Sequence, residues 1–313
     1  MNTEFLLYFG MFIASLAVLL KASDWFIDSA EEIGLSLGIS PFIIGVTIIA
    51  FGTSLPELAT SIASVFAGDS KIVVGNVIGS NITNIALVLG LVAIYVKLIK
   101  LETNLWEIDM PFLISTAFFL WFVLRDYQVT TLEAILCLVG LVIFLAYSLG
   151  SDDGEGKEHP KASGKSYLLL IIGGILVWLG ATYTVEAIQK MSDIMGIGSG
   201  VIALSLVALG TSLPEVIVSM SAAKKGKTSI AVGNVLGSNV FNTLAVIGIP
   251  ALIGPLEIPK EIISFSLPLM IVMTLLFGLM TLSKTISRWE GMILLIFYIY
   301  FLIELLSPTP LNG

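Results

Sequence analysis

The stretch FGTSLPELATSIAS, Phe51 to Ser64, returns later in the chain as LGTSLPEVIVSMSA, Leu209 to Ala222. Thr53 corresponds to Thr211, Ser54 to Ser212, Pro56 to Pro214 and Glu57 to Glu215, each displaced by 158 positions (211 − 53). GNVIGSNITN from Gly75 returns as GNVLGSNVFN from Gly233 at the same offset, so no insertion separates the two motifs in either copy. The chain is a duplicated unit, and each copy places one carboxylate inside an apolar segment. A charged side chain there costs about 2.5 to 3.5 kcal/mol on insertion scales. Something must offset that cost twice over, and a bound cation is the natural candidate.

Hydrophobic residues make up 57% of the chain and charged residues 12%, with mean hydropathy +1.01, against roughly 25% charged residues in a soluble domain. This composition is that of an integral membrane protein. Backbone facing lipid must satisfy its own hydrogen bonds, so the apolar runs are read as helices of about 20 residues. Ten spans are expected, at about 4–27, 38–66, 72–96, 106–124, 129–148, 166–188, 199–223, 229–254, 261–282 and 288–306. Residues 1–150 form the first five-helix repeat, Ser151 to Lys165 (SDDGEGKEHPKASGK) the polar linker, and 166–313 the second repeat. The lone His159 falls in that linker and is read as solvated. The N-terminus lacks a basic region and a small-residue cleavage site, so it reads as a first span rather than a signal peptide. The single Cys137 excludes an intramolecular disulfide and is read as a packing or lipid contact.

Lys and Arg in the loops set the orientation. One side collects ten of them (Lys97, Lys100, the three linker lysines, Lys224, Lys225, Lys227, Lys284 and Arg288), the other four (Lys71, Arg125, Lys190, Lys260). The richer side is expected to be cytoplasmic, with both termini extracellular. Five spans per copy is an odd number, so the second copy enters the membrane from the opposite face. Inverted repeats of this kind are a transporter architecture with the site near the bilayer midplane. The net charge of −8 adds little to this reading; no cofactor, nucleic acid or protein partner is implied, only cations and membrane lipid.

The second span of each copy carries the chemistry. Pro56 and Pro214 lack an N–H and clash with the preceding turn, so each helix is expected to kink or break within GTSLPE. A break frees carbonyls, chiefly those of Ala50 and Thr53 and of Ala208 and Thr211, and transporters hold Na⁺ with unwound carbonyls of this kind. Thr53, Glu57 and Ser61 share one helix face, as do Thr211, Glu215 and Ser219. In the third spans, Asn76, Ser80 and Asn84 recur every four residues, repeated as Asn234, Ser238 and Asn242, giving each helix a stripe of neutral oxygens. The paired glycines Gly75 and Gly79, and Gly233 and Gly237, permit close helix approach, which would bring Ser80, Asn84, Ser238 and Asn242 to the glutamates. Asn81 and Asn239 lie about 100° round the helix and read as interhelical glue. This donor set has no His or thiolate and suits a hard cation. Ca²⁺ takes six to eight oxygens in flexible geometry, and two carboxylates balance its charge; Mg²⁺ sheds its waters too reluctantly for such a site. The flanking hydroxyls and carbonyls offer places for monovalent ions, and competition for shared glutamates would produce exchange.

GTSLPEL with GNVIGSNITN, and GTSLPEV with GNVLGSNVFN, resemble the two alpha repeats of the calcium/cation antiporter superfamily, most closely its sodium/calcium exchanger branch in prokaryotes. The resemblance implies Na⁺/Ca²⁺ antiport by alternating access. It further implies a central Ca²⁺ held by Glu57, Glu215 and the carbonyls of Thr53 and Thr211. By the same resemblance, Na⁺ sites would use Ser54, Ser80 and the Ala50 carbonyl, and Ser212, Ser238 and the Ala208 carbonyl, with the first and sixth spans sliding past the core. Potassium-dependent members of that superfamily carry an aspartate where this chain has Asn242; Asn84 and Asn242 are both amides here, which argues against K⁺ co-transport. A linker of about fifteen residues is too short for the folded regulatory region of larger animal exchangers. Proton-coupled Ca²⁺ antiport is the alternative; a cation channel and an intramembrane enzyme fit less well, the latter because no histidine lies in a span.

Overall fold

The computed structural model of the chain describes residues 3–101, 103–150, 161–194 and 210–306. Most of the linker, His159, Ala208 and the first half of the expected seventh span lie outside the described residues.

Helix α1 (Thr3–Ser36) has 34 residues and so runs about 50 Å, well beyond the roughly 30 Å hydrocarbon layer. Its apolar part is followed by an acidic extension with Asp28, Glu31 and Glu32. Gly38, at φ +79°, then turns the chain, and the N–H of Ile39 closes the helix end on the Gly34 carbonyl at 2.9 Å. Ser40 caps the next helix by accepting from the Ile43 N–H, with Pro41 in its first turn. That helix, α2 (Pro41–Phe66), is followed by α3 (Lys71–Val96), α4 (Asp109–Leu124) and α5 (Thr131–Gly150). The second half contributes α6 (Gly164–Ile194), α7 (Leu213–Lys224), α8 (Thr228–Ile253), α9 (Ile262–Thr281) and α10 (Arg288–Leu306). Seven helices among the described residues are long and apolar enough to cross a membrane, and α4 is a shorter apolar one. The expected spans agree with these helices within a few residues, apart from the longer α1 and α6 and the undescribed part of the seventh.

Burial sorts the helices into layers. The membrane windows of α3, α8 and α2 are 83%, 78% and 67% buried, whereas those of α1, α5 and α6 are 17%, 22% and 28%. The helices carrying the repeated motifs are thus the inner layer. Close backbone approach builds it: there is no room for a Cβ on Gly237 or Gly233 of α8 against the Val46 and Phe42 carbonyls of α2. Outside it, α1 and α6 lie against each other, and a Cβ on Gly180 would stand 2.9 Å from that of Leu19. Cys137 is buried and packs beside Gly248.

Two features were not anticipated. The all-helical expectation missed a two-stranded antiparallel ribbon, β1 (Leu98–Lys100) with β2 (Thr285–Ser287), where short loops lie side by side and satisfy their backbone in each other. The inner helices also widen into π turns at Gly45–Ile49, Asn84–Leu89 and Asn242–Val246, a distortion that tends to accompany functional sites.

Loop contacts sort the helix ends. The ribbon joins the loop after α3 to that after α9. The Ser163 N–H bonds Glu32 at 2.8 Å, and Lys227 pairs with Asp28 at 2.7 Å, so the ends of α1 and α7 and the start of α6 lie together. The loop after α2 meets the loop after α8 through Lys71 and Glu257 at 3.3 Å. Every one of these contacts joins loops that the Lys/Arg count assigned to the same side.

Candidate ion-binding site

The two GTSLPE motifs fold differently. Pro56 sits inside a continuous helix, Ala50–Phe66, so of the kink or break expected in the first copy the break is excluded. The π turn at Gly45–Ile49 immediately precedes it, and flanking distortion lets a membrane helix absorb the N–H a proline lacks. In the second copy Gly210 and Thr211 are helical, the chain turns at Ser212 (φ −88°, ψ 4°), and α7 starts at Leu213 with Pro214 in its first turn. There a proline costs little, because the first N–H groups of a helix have no intrahelical partner.

Glu57 and Glu215 are both fully buried. Ser54 donates to Glu215 Oε1 at 3.2 Å, placing the first half's hydroxyl on the second half's carboxylate. Glu215 Oε2 and both oxygens of Glu57 are not hydrogen-bonded. An uncompensated buried carboxylate costs several kcal/mol, so these orphaned oxygens fit a site that receives cations. Among the described residues no group of three His, Cys, Asp or Glu side chains converges; further donors must come from hydroxyls, amides and carbonyls.

Those donors are present and cross-linked between the halves. Thr53 donates to Asn234 Oδ1 at 3.1 Å, and Thr211 donates to Asn76 Oδ1 at 3.1 Å. Asn76 donates to Ser61 at 3.1 Å, and Asn234 to Ser219 at 2.9 Å. Ser212 donates to Ser80 at 3.1 Å, while Thr53 and Ser238 stand 3.5 Å apart. Each bond has its counterpart at the 158 offset or a near equivalent. Asn76 and Asn234 are therefore the hubs that fix the threonines; the four-residue stripe named them, but nothing in the spacing singled them out from Ser80 and Ser238. The Ala50 carbonyl accepts from Thr53 Oγ1 at 3.3 Å.

The lower end of the stripe is less uniform. Asn84 donates to Asn239 Oδ1 at 3.1 Å and leaves its own oxygen free, whereas neither polar atom of the fully buried Asn242 is hydrogen-bonded. Asn81 donates to Thr243 at 3.0 Å and so ties α3 to α8, as an interhelical bond should. A cleft of about 280 Å³ reaches this core from one side, bounded by Pro56, Thr60, Glu186, Thr211 and Pro214. Thr211 is partly exposed, whereas its counterpart Thr53 is fully buried. The cleft thus reaches the rim of the core at Thr211, while both glutamates stay buried beneath it.

A family model described as sodium/calcium exchanger protein matches residues 7–150 and 165–306. The sodium/calcium exchanger MaX1 of Methanosarcina acetivorans is 33% identical, over 95% of this chain and 98% of that protein. An uncharacterized membrane protein of Methanocaldococcus jannaschii is 34% identical over 93% of this chain and 95% of its own length. Among solved structures, the sodium-calcium exchanger NCX_Mj soaked with Na⁺ and Sr²⁺ superposes with a TM-score of 0.85 at 33% identity, covering 95% of this chain and 98% of that one.

Proposed function

The chain belongs to the sodium/calcium exchanger protein family, and from its paired glutamates we propose that it is a secondary active antiporter exchanging Na⁺ for Ca²⁺ across the cell membrane by alternating access. The observation that carries the reading is the buried pair Glu57 and Glu215, with three of four carboxylate oxygens unbonded amid a network of hydroxyls and amides. Ca²⁺ sits at the midplane between the two carboxylates, which balance its charge, and the Thr53 and Thr211 carbonyls complete part of its shell. Na⁺ occupies flanking positions served by Ser54, Ser80 and the Ala50 carbonyl, and by Ser212, Ser238 and the Ala208 carbonyl. Asn84 and Asn242 line the core. Because both ions draw on the same glutamates, filling the site with one expels the other, and an empty site with two facing carboxylates is costly. That cost couples the fluxes.

Residues 1–150 and 166–313 act as two inverted five-helix repeats joined by the cytoplasmic linker 151–165, giving ten transmembrane helices with both termini outside. The reciprocal bonds Thr53 to Asn234 and Thr211 to Asn76 support this pseudo-two-fold arrangement, and the side with ten Lys and Arg residues is the cytoplasmic one. The outer pair α1 and α6 moves relative to the core to expose the site alternately.

The test is radiolabelled Ca²⁺ uptake into liposomes holding the purified protein, driven by an outward Na⁺ gradient. Saturable uptake that needs Na⁺ inside supports exchange. Uptake on a pH gradient without Na⁺ would assign proton coupling instead, and non-saturating conductance would assign a channel.

A further inference from the structure

Two turns with the same backbone end α2 and α7 and carry different charge. Gly68 (φ +78°) follows α2, with the Asp69 N–H on the Ser64 carbonyl at 2.9 Å; Gly226 (φ +76°) follows α7, with the Lys227 N–H on the Ala222 carbonyl at 2.9 Å. They are related by the 158 offset, yet one presents Ala67 and Asp69 where the other presents Lys225 and Lys227.

The lysines are engaged by α1. Lys225 meets Asp24 at 3.2 Å and Asp28 at 2.7 Å, and Lys227 meets Asp28 and Glu31, each at 2.7 Å. Ser221 adds a bond to Asp24 at 2.6 Å. In α6 the positions at the 158 offset from Asp24, Asp28, Glu31 and Glu32 are Thr182, Glu186, Gln189 and Lys190, one carboxylate in place of four, and the turn after α2 carries Asp69 at the position of Lys227. Five attractive contacts close the α1 end; by the correspondence of the two repeats, a matching approach of α6 to the turn after α2 would bring Glu186 toward the like charge of Asp69.

We infer that the cluster of Asp24, Asp28 and Glu31 with Lys225 and Lys227 is a one-sided ionic latch that holds the ion pathway shut at the end where the linker lies and makes the carrier rest open toward the opposite end. The inference rests on the alternating-access reading, in which α1 and α6 move against the core. Packing agrees with it. Phe26 of α1 lies directly on Gly52, leaving no room for a Cβ, and the adjacent Thr53 is fully buried. At the other end the cleft bounded by Thr182, Glu186 and Thr211 is open. Single exposed pairs count for little, but a network shared by two lysines that are 19% and 25% exposed is screened less. Losing it should change the ratio of the two access states about fivefold or more.

The experiment measures apparent Ca²⁺ affinity separately on each face of oriented liposomes for Asp28→Asn, Lys227→Gln, Lys227→Arg and Asp69→Lys. Apparent affinity on a face scales with the fraction of carriers open to it. Removing the latch should tighten apparent binding on the linker side about fivefold or more and weaken it slightly on the other, with Lys227→Arg close to native. Asp69→Lys puts a lysine at the position that corresponds to Lys227, and, if the repeats' correspondence holds at the α6 end, pairs it with Glu186 and shifts the two faces in the same directions without touching the latch. Affinities unchanged on both faces, or weakened equally on both, in a carrier that still exchanges would overturn the latch alone. Native protein without Na⁺-driven exchange would overturn the transport reading on which it stands.

Discussion

The motif GTSLPE occurs twice with identical letters, and the two copies do not adopt one structure. In the first, the helix runs through Pro56 and Thr53 is sealed from solvent; in the second, the chain turns at Ser212 and Thr211 faces a cleft. A proline obliges the chain only to lose one N–H and to relieve one clash. The first copy meets that demand beside a π turn, the second at a helix start. The difference teaches that the duplicated sequence encodes two compatible conformations of one element, and that the surroundings select between them.

The largest effect expected is on the glutamates, where the two copies should behave alike. On the proposed Ca²⁺ site, Glu57→Gln or Glu215→Gln alone removes half the charge that would balance a divalent ion, and breaking such a buried pairing costs about 3 to 5 kcal/mol, more than a hundredfold in affinity. Ca²⁺ uptake in liposomes should vanish for both; wild-type-like uptake by either would separate that glutamate from the site. The prolines should then divide the copies. Pro56→Ala restores a helix-interior hydrogen bond and should stabilise the folded protein by up to about 3 kcal/mol, whereas Pro214→Ala, in the first turn, should change stability by only a few tenths. Thermal unfolding in detergent compares them, and equal shifts would mean that both helices are broken or both continuous.

Asn84 and Asn242 offer a finer contrast. Asn242→Asp alters a side chain without hydrogen bonds and, on the proposed site, adds a third acid to two glutamates that balance Ca²⁺. That charge is relieved by an extra monovalent ion, so exchange should acquire a dependence on K⁺ or H⁺. Asn84→Asp instead loses the bond to Asn239, and its main effect should be a stability loss of about 1 to 3 kcal/mol. Uptake with K⁺ replaced by choline, at two pH values, distinguishes them; identical responses in native protein and Asn242→Asp would return Asn242 to a purely packing role.

The smallest effect expected compares the two ends of the molecule. Lys71 and Glu257 are 62% and 64% exposed, so Lys71→Gln should cost no more than a few tenths of a kcal/mol. The cluster that Lys225 and Lys227 form with the carboxylates of α1 is better protected. Burial works against the Asp28 carboxylate, but bonds from Lys225 and Lys227 outweigh it and hold the pKa below its ordinary value. A depressed folded-state pKa gives stabilisation that is complete above the unfolded value of about 3.9 and is lost as pH falls through the folded one. Hydrogen exchange in the turn at Gly226 should therefore stay slow at neutral pH and accelerate only below about pH 4. Acceleration near pH 6 would show that Asp28 is not held by the lysines.

Helix positions, the duplicated layout and the two carboxylates were legible from the chain because each rests on a local rule. Apolar length sets a membrane span, repetition reveals duplication, and an acid in an apolar run stands out for its desolvation cost. Phe26 lying on Gly52, the choice of Asn76 and Asn234 as hubs, and the pairing of Asp28 with a lysine 199 residues away left no such local mark. Nor did the fate of Pro56 and Pro214, since hexapeptides with the same letters cannot encode their own difference. These were decided by tertiary packing. Which helix lies against which, and how closely two backbones approach, depends on side chains distant in sequence, and only their simultaneous fit fixes which threonine is sealed and which is open.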